Sequence, residues 1–220
     1  MGRRLGVFGG TFDPPHLGHR SVVEDVADFL GLDEVLWIPA GDPPHKAFQK
    51  LTPAPIRLRM VRAVTAGDER FRVSEIEVRR EGPSYTVDTL RALREEHPDA
   101  KLFLIMGIDQ YRALESWHRP DEVRSLATLA VMDRGGEALR DLEAGDADEA
   151  HHPDEALYPH ETQDGEAAGS GVIRVPVKRV DISSTRVRAA VDRGESITEL
   201  VSPEVARIIE AEGLYRRLRD

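Results

Sequence analysis

Apolar residues along this chain form short runs separated by turns rich in Gly and Pro, and the runs alternate between two periods. Arg3 to Phe8 is a short apolar stretch ending at Gly9-Gly10, whereas Leu17, Val22, Val23, Val26, Ala27 and Leu30 recur at helical spacing across Gly18 to Leu30. Strand, glycine-rich loop and helix follow in that order. Val35 to Pro39 predicts a second strand, and a loop of Gly, Pro and charge from Ala40 to Pro55 leads to a helix from about Ile56 to Ala66. Phe71 to Val73 and Ile76 to Val78 read as short strands. Ser84 to His97 predicts a helix with Val87, Leu90 and Leu93 three apart, and Lys101 to Met106 is the most strand-like run, expected at the centre of a sheet. Pro120 to Leu126 predicts a helix and Thr128 to Met132 a buried strand. Val172 to Val177 resumes as a strand, Ser184 to Asp192 is a helix stopped by Arg193-Gly194, and Ser202-Pro203-Glu204 opens a last helix ending near Gly213. Two consecutive βα units at the start predict a parallel sheet.

The chain has 220 residues, 40% of them hydrophobic, which is enough for one domain with a buried core and argues against disorder throughout. Its longest apolar run, Leu102 to Ile108, is far short of the roughly 20 residues of a membrane span. The two N-terminal arginines run into Gly9-Gly10 and Asp13 before any signal-peptide apolar region forms, so a cytoplasmic protein with no membrane partner is expected. With no Cys, disulfides, zinc-thiolate sites and thiol nucleophiles are excluded, and chemistry falls to His, Lys, Arg, Ser or carboxylates.

The net charge of −10 argues at first against an anionic ligand, but its location changes that inference. Residues Glu137 to Gly171 hold eleven acids and one arginine, so this window carries the whole excess and the rest of the chain is balanced. Rich in Gly and Pro and poor in branched apolar residues, the window is expected to be a mobile insertion at 137–171 in a single domain spanning 1–220. Removing it should raise the isoelectric point and spare the chemistry. His151, His152 and His160 lie within it without regular spacing or a rigid frame, and are not read as a metal site.

The densest chemistry is Gly9-Gly10-Thr11-Phe12-Asp13-Pro14-Pro15-His16-Leu17-Gly18-His19, between the first strand and the first helix. Gly9 and Gly10 let the backbone approach a bulky anion, the prolines stiffen the turn, and the helix start aims N–H groups and its positive end at the same point. His16 and His19 are placed to donate to phosphate oxygens, with Gly18 leaving the ligand room. Neither G-x-G-x-x-G nor G-x-x-x-x-G-K-[ST] is present, so hydride transfer and Walker-type hydrolysis lose their usual support. Near the C-terminus, Ile182-Ser183-Ser184-Thr185-Arg186-Val187-Arg188 offers hydroxyls and N–H groups at a helix start, with Arg188 one turn on. The plain alternative there is an N-cap with solvated arginines.

The first string resembles the G-x-F-x-P-x-H-x-G-H signature of the adenylyl- and cytidylyltransferase superfamily, and the second is similar to its I-S-S-T-x-x-R. The resemblance implies a Rossmann-like nucleotidyltransferase fold: a doubly wound α/β domain, its sheet mainly parallel, with helices on both faces. Pro43-Pro44-His45-Lys46, Ser84-Tyr85-Thr86-Val87-Asp88-Thr89-Leu90, Met106-Gly107-Ile108-Asp109 and Trp117 resemble, in order and spacing, the bacterial nicotinate-mononucleotide adenylyltransferases. That resemblance implies ATP and nicotinate mononucleotide as partners, with no nucleic acid, and leaves a homo-oligomer open. It implies that ATP meets Gly9, Gly10, Thr11, Phe12, Gly18 and Ile182 to Thr185, with His16, His19, Lys46 and Arg188 supplying catalytic charge. It further implies that Trp117 stacks on the pyridine, that Thr86 and nearby N–H groups meet its carboxylate, and that Asp109 contacts the ribose, with Tyr85, Gly107 and His118 beside them. Plainer uses stay open: Trp117 as a core anchor, Asp109 as a turn cap, Tyr85 as helix packing and Lys46 as a solvated loop lysine.

The implied reaction is in-line attack of the mononucleotide 5′-phosphate on the α-phosphorus of ATP, with Mg²⁺ carried by the ATP phosphates. Superfamily members using nicotinamide mononucleotide, phosphopantetheine or flavin mononucleotide are the alternatives. A non-catalytic nucleotide sensor would be signalled by loss of a histidine or of the Ser/Thr motif, and neither is lost.

Overall fold

The computed structural model of the chain describes residues 2–44, 48, 50–133, 171–178 and 180–216. Six strands form one sheet: β1 (Arg4–Gly10), β2 (Glu34–Pro39), β3 (Phe71–Val73), β4 (Lys101–Gly107), β5 (Thr128–Asp133) and β6 (Val172–Pro176). Their order is β3-β2-β1-β4-β5-β6 and every pair is parallel. The helices are α1 (Leu17–Leu30), α2 (Ala54–Thr65), α3 (Ile76–Arg79), α4 (Thr86–Glu96), α5 (Ile108–Arg112), α6 (Pro120–Leu126), α7 (Ser184–Arg193) and α8 (Pro203–Ala211), with a 3₁₀ turn at Leu114–Ser116.

The strands read as unbroken apolar runs because both faces of the sheet are covered. Along β4, Leu102, Leu104 and Met106 enter one core cluster while Phe103 and Ile105 enter the other. On one face lie Val22, Val23, Val26 and Ala27 of α1, Met60, Val61 and Val64 of α2, Val187 of α7 and Val205 of α8. On the opposite face lie Val87, Leu90 and Leu93 of α4 and Val123 of α6. Trp37 of β2 is fully buried among Phe8, Phe12 and Phe71. Truncating a residue of that size costs about 3–5 kcal/mol.

One expectation changes. Ile76 to Val78 is not a strand but the core of the short helix α3. Sheet pairing ends at Val73: the Ser74 N–H donates to the Trp37 carbonyl, and the Ser74 hydroxyl accepts from the Ile76 N–H, which turns the chain into a helix. The acidic window lies outside the described residues except for Gly171, whose carbonyl accepts from Leu129 N–H. Among the described residues no helix is long and apolar enough to cross a membrane.

Candidate active site

The strand order reverses direction between β1 and β4, and a crevice opens where their C-terminal ends lead apart. A cleft of about 1180 Å³ lies there, lined by the loop after β1, the loop after β2, the start of α4, the segment after β4 and the start of α7. Gly9, Gly10, Thr11, Phe12, His16, Gly18, His19, Ile182, Ser183, Ser184 and Arg188 meet at one end. Tyr85, Thr86, Gly107, Asp109, Trp117 and His118 also line it. Lys46 and His45 lie outside the described residues.

At the histidine end, the His19 N–H donates to His16 Nδ1 and the His16 N–H donates to His19 Nδ1, each at 3.2 Å. The pair forms a reciprocal capping box on α1, with imidazoles where Ser or Thr and Glu usually stand. A ring nitrogen that accepts an N–H carries no proton, so each neutral imidazole keeps its proton on Nε2. The rings stack with centroids 3.6 Å apart, and His16 is buried. Thus each ring is held in the tautomer that can donate from Nε2 by the other residue's backbone N–H, and the two rings stack.

Two neighbours line the cleft and also pack within the protein. Phe12 adopts φ +50°, a conformation that costs a non-glycine residue about 1–2 kcal/mol, and its ring packs on Phe8, His19 and Trp37. Its side chain is therefore a core anchor, and the loop offers a ligand mainly backbone. At Gly18 a Cβ would lie 3.0 Å from His16 Nδ1 and 3.3 Å from Ile182 Cβ. The missing side chain lets the two distant motifs close on each other. At Gly9, in contrast, an added Cβ meets nothing within 4 Å.

The C-terminal motif is largely engaged with the protein. Ser183 caps α7 by accepting from the Arg186 N–H at 3.1 Å, and Ser184 Oγ donates to the Pro14 carbonyl at 2.9 Å. Arg188 donates to the Asp13 carbonyl at 2.7 Å and to Thr185 Oγ1 at 3.1 Å. Thr185 is exposed and is not part of the cleft wall. The motif thus clasps the first loop as well as facing the cleft.

At the other end, α4 starts at Thr86 behind Tyr85, whose side chain makes no cap hydrogen bond. Its first-turn N–H groups and positive dipole end therefore suit an anion. Tyr85 and His118 lie ring to ring, with centroids 4.5 Å apart. Trp117 is half-buried, packed partly on the core beneath α4 and partly along the cleft, so it anchors the wall and also offers an aromatic surface. Asp109 is exposed in the first turn of α5, immediately beyond β4.

Several participants were not singled out from sequence. Arg57 is buried, and its Nε, Nη1 and Nη2 donate to the carbonyls of Thr52, Thr11 and Gly41 at 2.8, 2.7 and 3.2 Å. Burial lowers its pKa, and the nearby Asp13 charge works the other way. The Asp13 carboxylate accepts from the Tyr215 hydroxyl at 2.6 Å and the Thr52 N–H at 3.2 Å. Burial first, and then the bond to Asp13, push the Tyr215 hydroxyl pKa up, so it stays a donor. Glu77 of α3 borders the cleft and accepts from Thr89 Oγ1 at 2.8 Å; burial raises its pKa against the opposing pull of Thr89 and Arg80. A usable signal existed for Arg57, which interrupts the apolar stripe completed by Val61 and Val64 on α2. Glu77 was hidden by the mistaken strand. Among the described residues no group of three or more His, Asp or Glu is placed to hold a metal ion.

The cytidylyltransferase-like family model matches residues 7–190. A Thermomicrobium roseum protein named as a probable nicotinate-nucleotide adenylyltransferase is 40% identical over 97% of this chain and 92% of its own length. A Geobacillus thermodenitrificans protein of the same name is 38% identical over 96% of this chain and 86% of its own. The fold is also that of the Plasmodium falciparum nicotinic acid mononucleotide adenylyltransferase solved in complex with NaAD, with a TM-score of 0.70, 15% identity and 97% of each chain covered. On this evidence the chain belongs to the cytidylyltransferase-like family and, within it, to the nicotinate-nucleotide adenylyltransferases.

Proposed function

We propose that this chain transfers the adenylyl group of ATP to nicotinate mononucleotide, giving nicotinate adenine dinucleotide and pyrophosphate. The observation that carries the assignment is the shape of one cleft: paired imidazole donors at one end, and an uncapped helix start beside Trp117 at the other. A triphosphate suits the first end, and a planar ring bearing a carboxylate suits the second.

In the proposed reaction an oxygen of the mononucleotide 5′-phosphate forms a bond to the α-phosphorus of ATP as the bond to the β-phosphate oxygen breaks. Pyrophosphate leaves with that electron pair. The attacking phosphate is already ionised, so no general base is required. His16 and His19 donate from Nε2 to the ATP phosphates as charge moves onto the leaving group, a form of electrostatic stabilisation that needs no protein nucleophile. Arg188 adds positive charge while holding the Asp13 carbonyl. Lys46, in the loop following Pro43-Pro44, is assigned to the same phosphates. Mg²⁺ enters as part of the ATP substrate and neutralises phosphate charge there.

Trp117 stacks on the electron-poor pyridine, the start of α4 with Thr86 receives the nicotinate carboxylate, and Asp109 receives ribose hydroxyls. Tyr85, His118 and Gly107 complete that wall. Pyrophosphate release from ATP, compared across nicotinate mononucleotide, nicotinamide mononucleotide, phosphopantetheine and flavin mononucleotide, tests the assignment. The expected result is strong preference for the first acceptor; equal or greater turnover with another would overturn it.

A further inference from the structure

The two ends of the cleft are joined beneath its floor by one buried side chain. Arg57 lies in the first turn of α2 and is 1% exposed. Its Nη1 holds the Thr11 carbonyl, in the loop that leads to the histidine pair, and its Nη2 holds the Gly41 carbonyl, just after β2. The Gly41 N–H in turn donates to Ser84 Oγ at 3.0 Å, two residues before Thr86 at the start of α4. The contacts therefore run Thr11, Arg57, Gly41, Ser84, from one end to the other.

Both flanks of this path are constrained. A Cβ on Gly41 would lie 2.3 Å from the Glu77 carbonyl oxygen, so the loop after β2 is already against α3. On the other flank Arg57 Nε holds the Thr52 carbonyl, and the Thr52 N–H donates to Asp13 in the first loop. A planar fork of donors fits three carbonyls from three segments. A lysine ammonium keeps the charge but cannot reproduce that fork.

We propose that Arg57 is a positioning residue that sets the separation between the ATP and mononucleotide ends of the cleft. The inference rests on the assignment of those two ends given above. In-line transfer is sensitive to such a separation, since a displacement of about 1 Å costs about 100-fold in rate.

The test is Arg57→Lys, with folding checked by its melting curve. Dissociation constants for ATP alone and for nicotinate mononucleotide alone should stay within about threefold of the parent, while kcat falls about 10- to 100-fold. An unchanged kcat in a folded but less stable variant would overturn the proposal, as would collapse of both dissociation constants together with kcat. Ser84→Ala cuts the same path one link further on and leaves the Arg57 guanidinium in place, while also removing the hydroxyl from Glu77 and from the Asp42 N–H. It should lower kcat by less, and the double variant should lose no more than Arg57→Lys alone; additive losses would count against a shared path. If Arg57→Lys does not fold, the split between kcat and dissociation constants in Ser84→Ala decides the matter. Pyrophosphate release by the parent protein is the control: its absence points to a wrong substrate assignment, whereas a normal parent with unaffected variants refutes Arg57 alone.

Discussion

Helices α1 and α4 both begin at the cleft, yet their first turns are finished in opposite ways. At α1 two histidines occupy each other's backbone N–H groups, so the helix end is sealed and the cleft receives imidazole Nε2 donors instead. At α4 the side chain of the N-cap residue closes nothing, and the positive end of the helix itself faces the cleft. The contrast matches the chemistry assigned to each end. A sealed start delivers two defined, directional donors to a group whose charge changes during reaction. An open start offers a fixed field to a carboxylate whose charge does not change.

Breaking the sealed start should have the largest effect. His19→Ala removes one donor and the ring stacked on His16 but keeps the backbone N–H that fixes the His16 tautomer, so kcat should fall roughly 10²- to 10³-fold. Because each ring is fixed by the other residue's backbone N–H, which alanine keeps, the losses in the His16→Ala, His19→Ala double variant should be nearly additive; steady-state kinetics on all three checks this, and a double variant no worse than either single one would show that the stacked rings act as one unit.

Closing the open start is the complementary experiment. Thr86→Asp adds a second carboxylate, beside Asp88, to the first turn of α4, where it stabilises the helix by about 0.3–1 kcal/mol but repels the nicotinate group. The kcat/KM for nicotinate mononucleotide should drop roughly tenfold or more, and that for nicotinamide mononucleotide should change less. An equal loss for both acceptors would remove the carboxylate from this end of the cleft. A smaller effect is expected from Trp117→Ala, which should raise the KM for the mononucleotide about three- to tenfold with little change in the KM for ATP. An unaltered mononucleotide KM would leave Trp117 as a wall residue only.

The smallest effect concerns stability at the floor of the open end. Burial raises the Glu77 pKa in the folded state, so the folded protein favours the protonated form. Its contribution is fully present below the ordinary carboxylate range and is lost as pH rises through the raised value. Glu77→Gln keeps an acceptor for the Thr89 hydroxyl and has no charge to acquire. Melting temperatures should therefore show a modest gain for this variant at neutral pH that shrinks on acidification, and a gain that grew on acidification would contradict the sign.

The sheet was legible in the sequence because each strand carries its own apolar run and each major helix its own spacing. The predicted strands at Val35 to Pro39, Lys101 to Met106 and Thr128 to Met132 lie within one residue of β2, β4 and β5. The histidine loop was legible for the same reason: its chemistry is contiguous. Ile76 to Val78 was misread because three residues with two apolar positions fit a strand and a helical turn equally well, and the absence of a strand partner decides between them.

Composition and order of residues by themselves determined the α/β class, the location of the net charge, the two motifs and most of the described residues that face one cleft. Only the tertiary structure decided how those residues are used. Ser184 and Arg188 bond carbonyls about 170 positions away in the chain, so their engagement with the first loop has no local signature. Arg57 became a link between the two ends only when Thr11, Gly41 and Thr52 converged on it. Gly18, which lines the cleft, is also the point of contact between the two motifs. Periodicity records which side of an element is buried, whereas the partner of a hydroxyl or guanidinium depends on where distant segments meet.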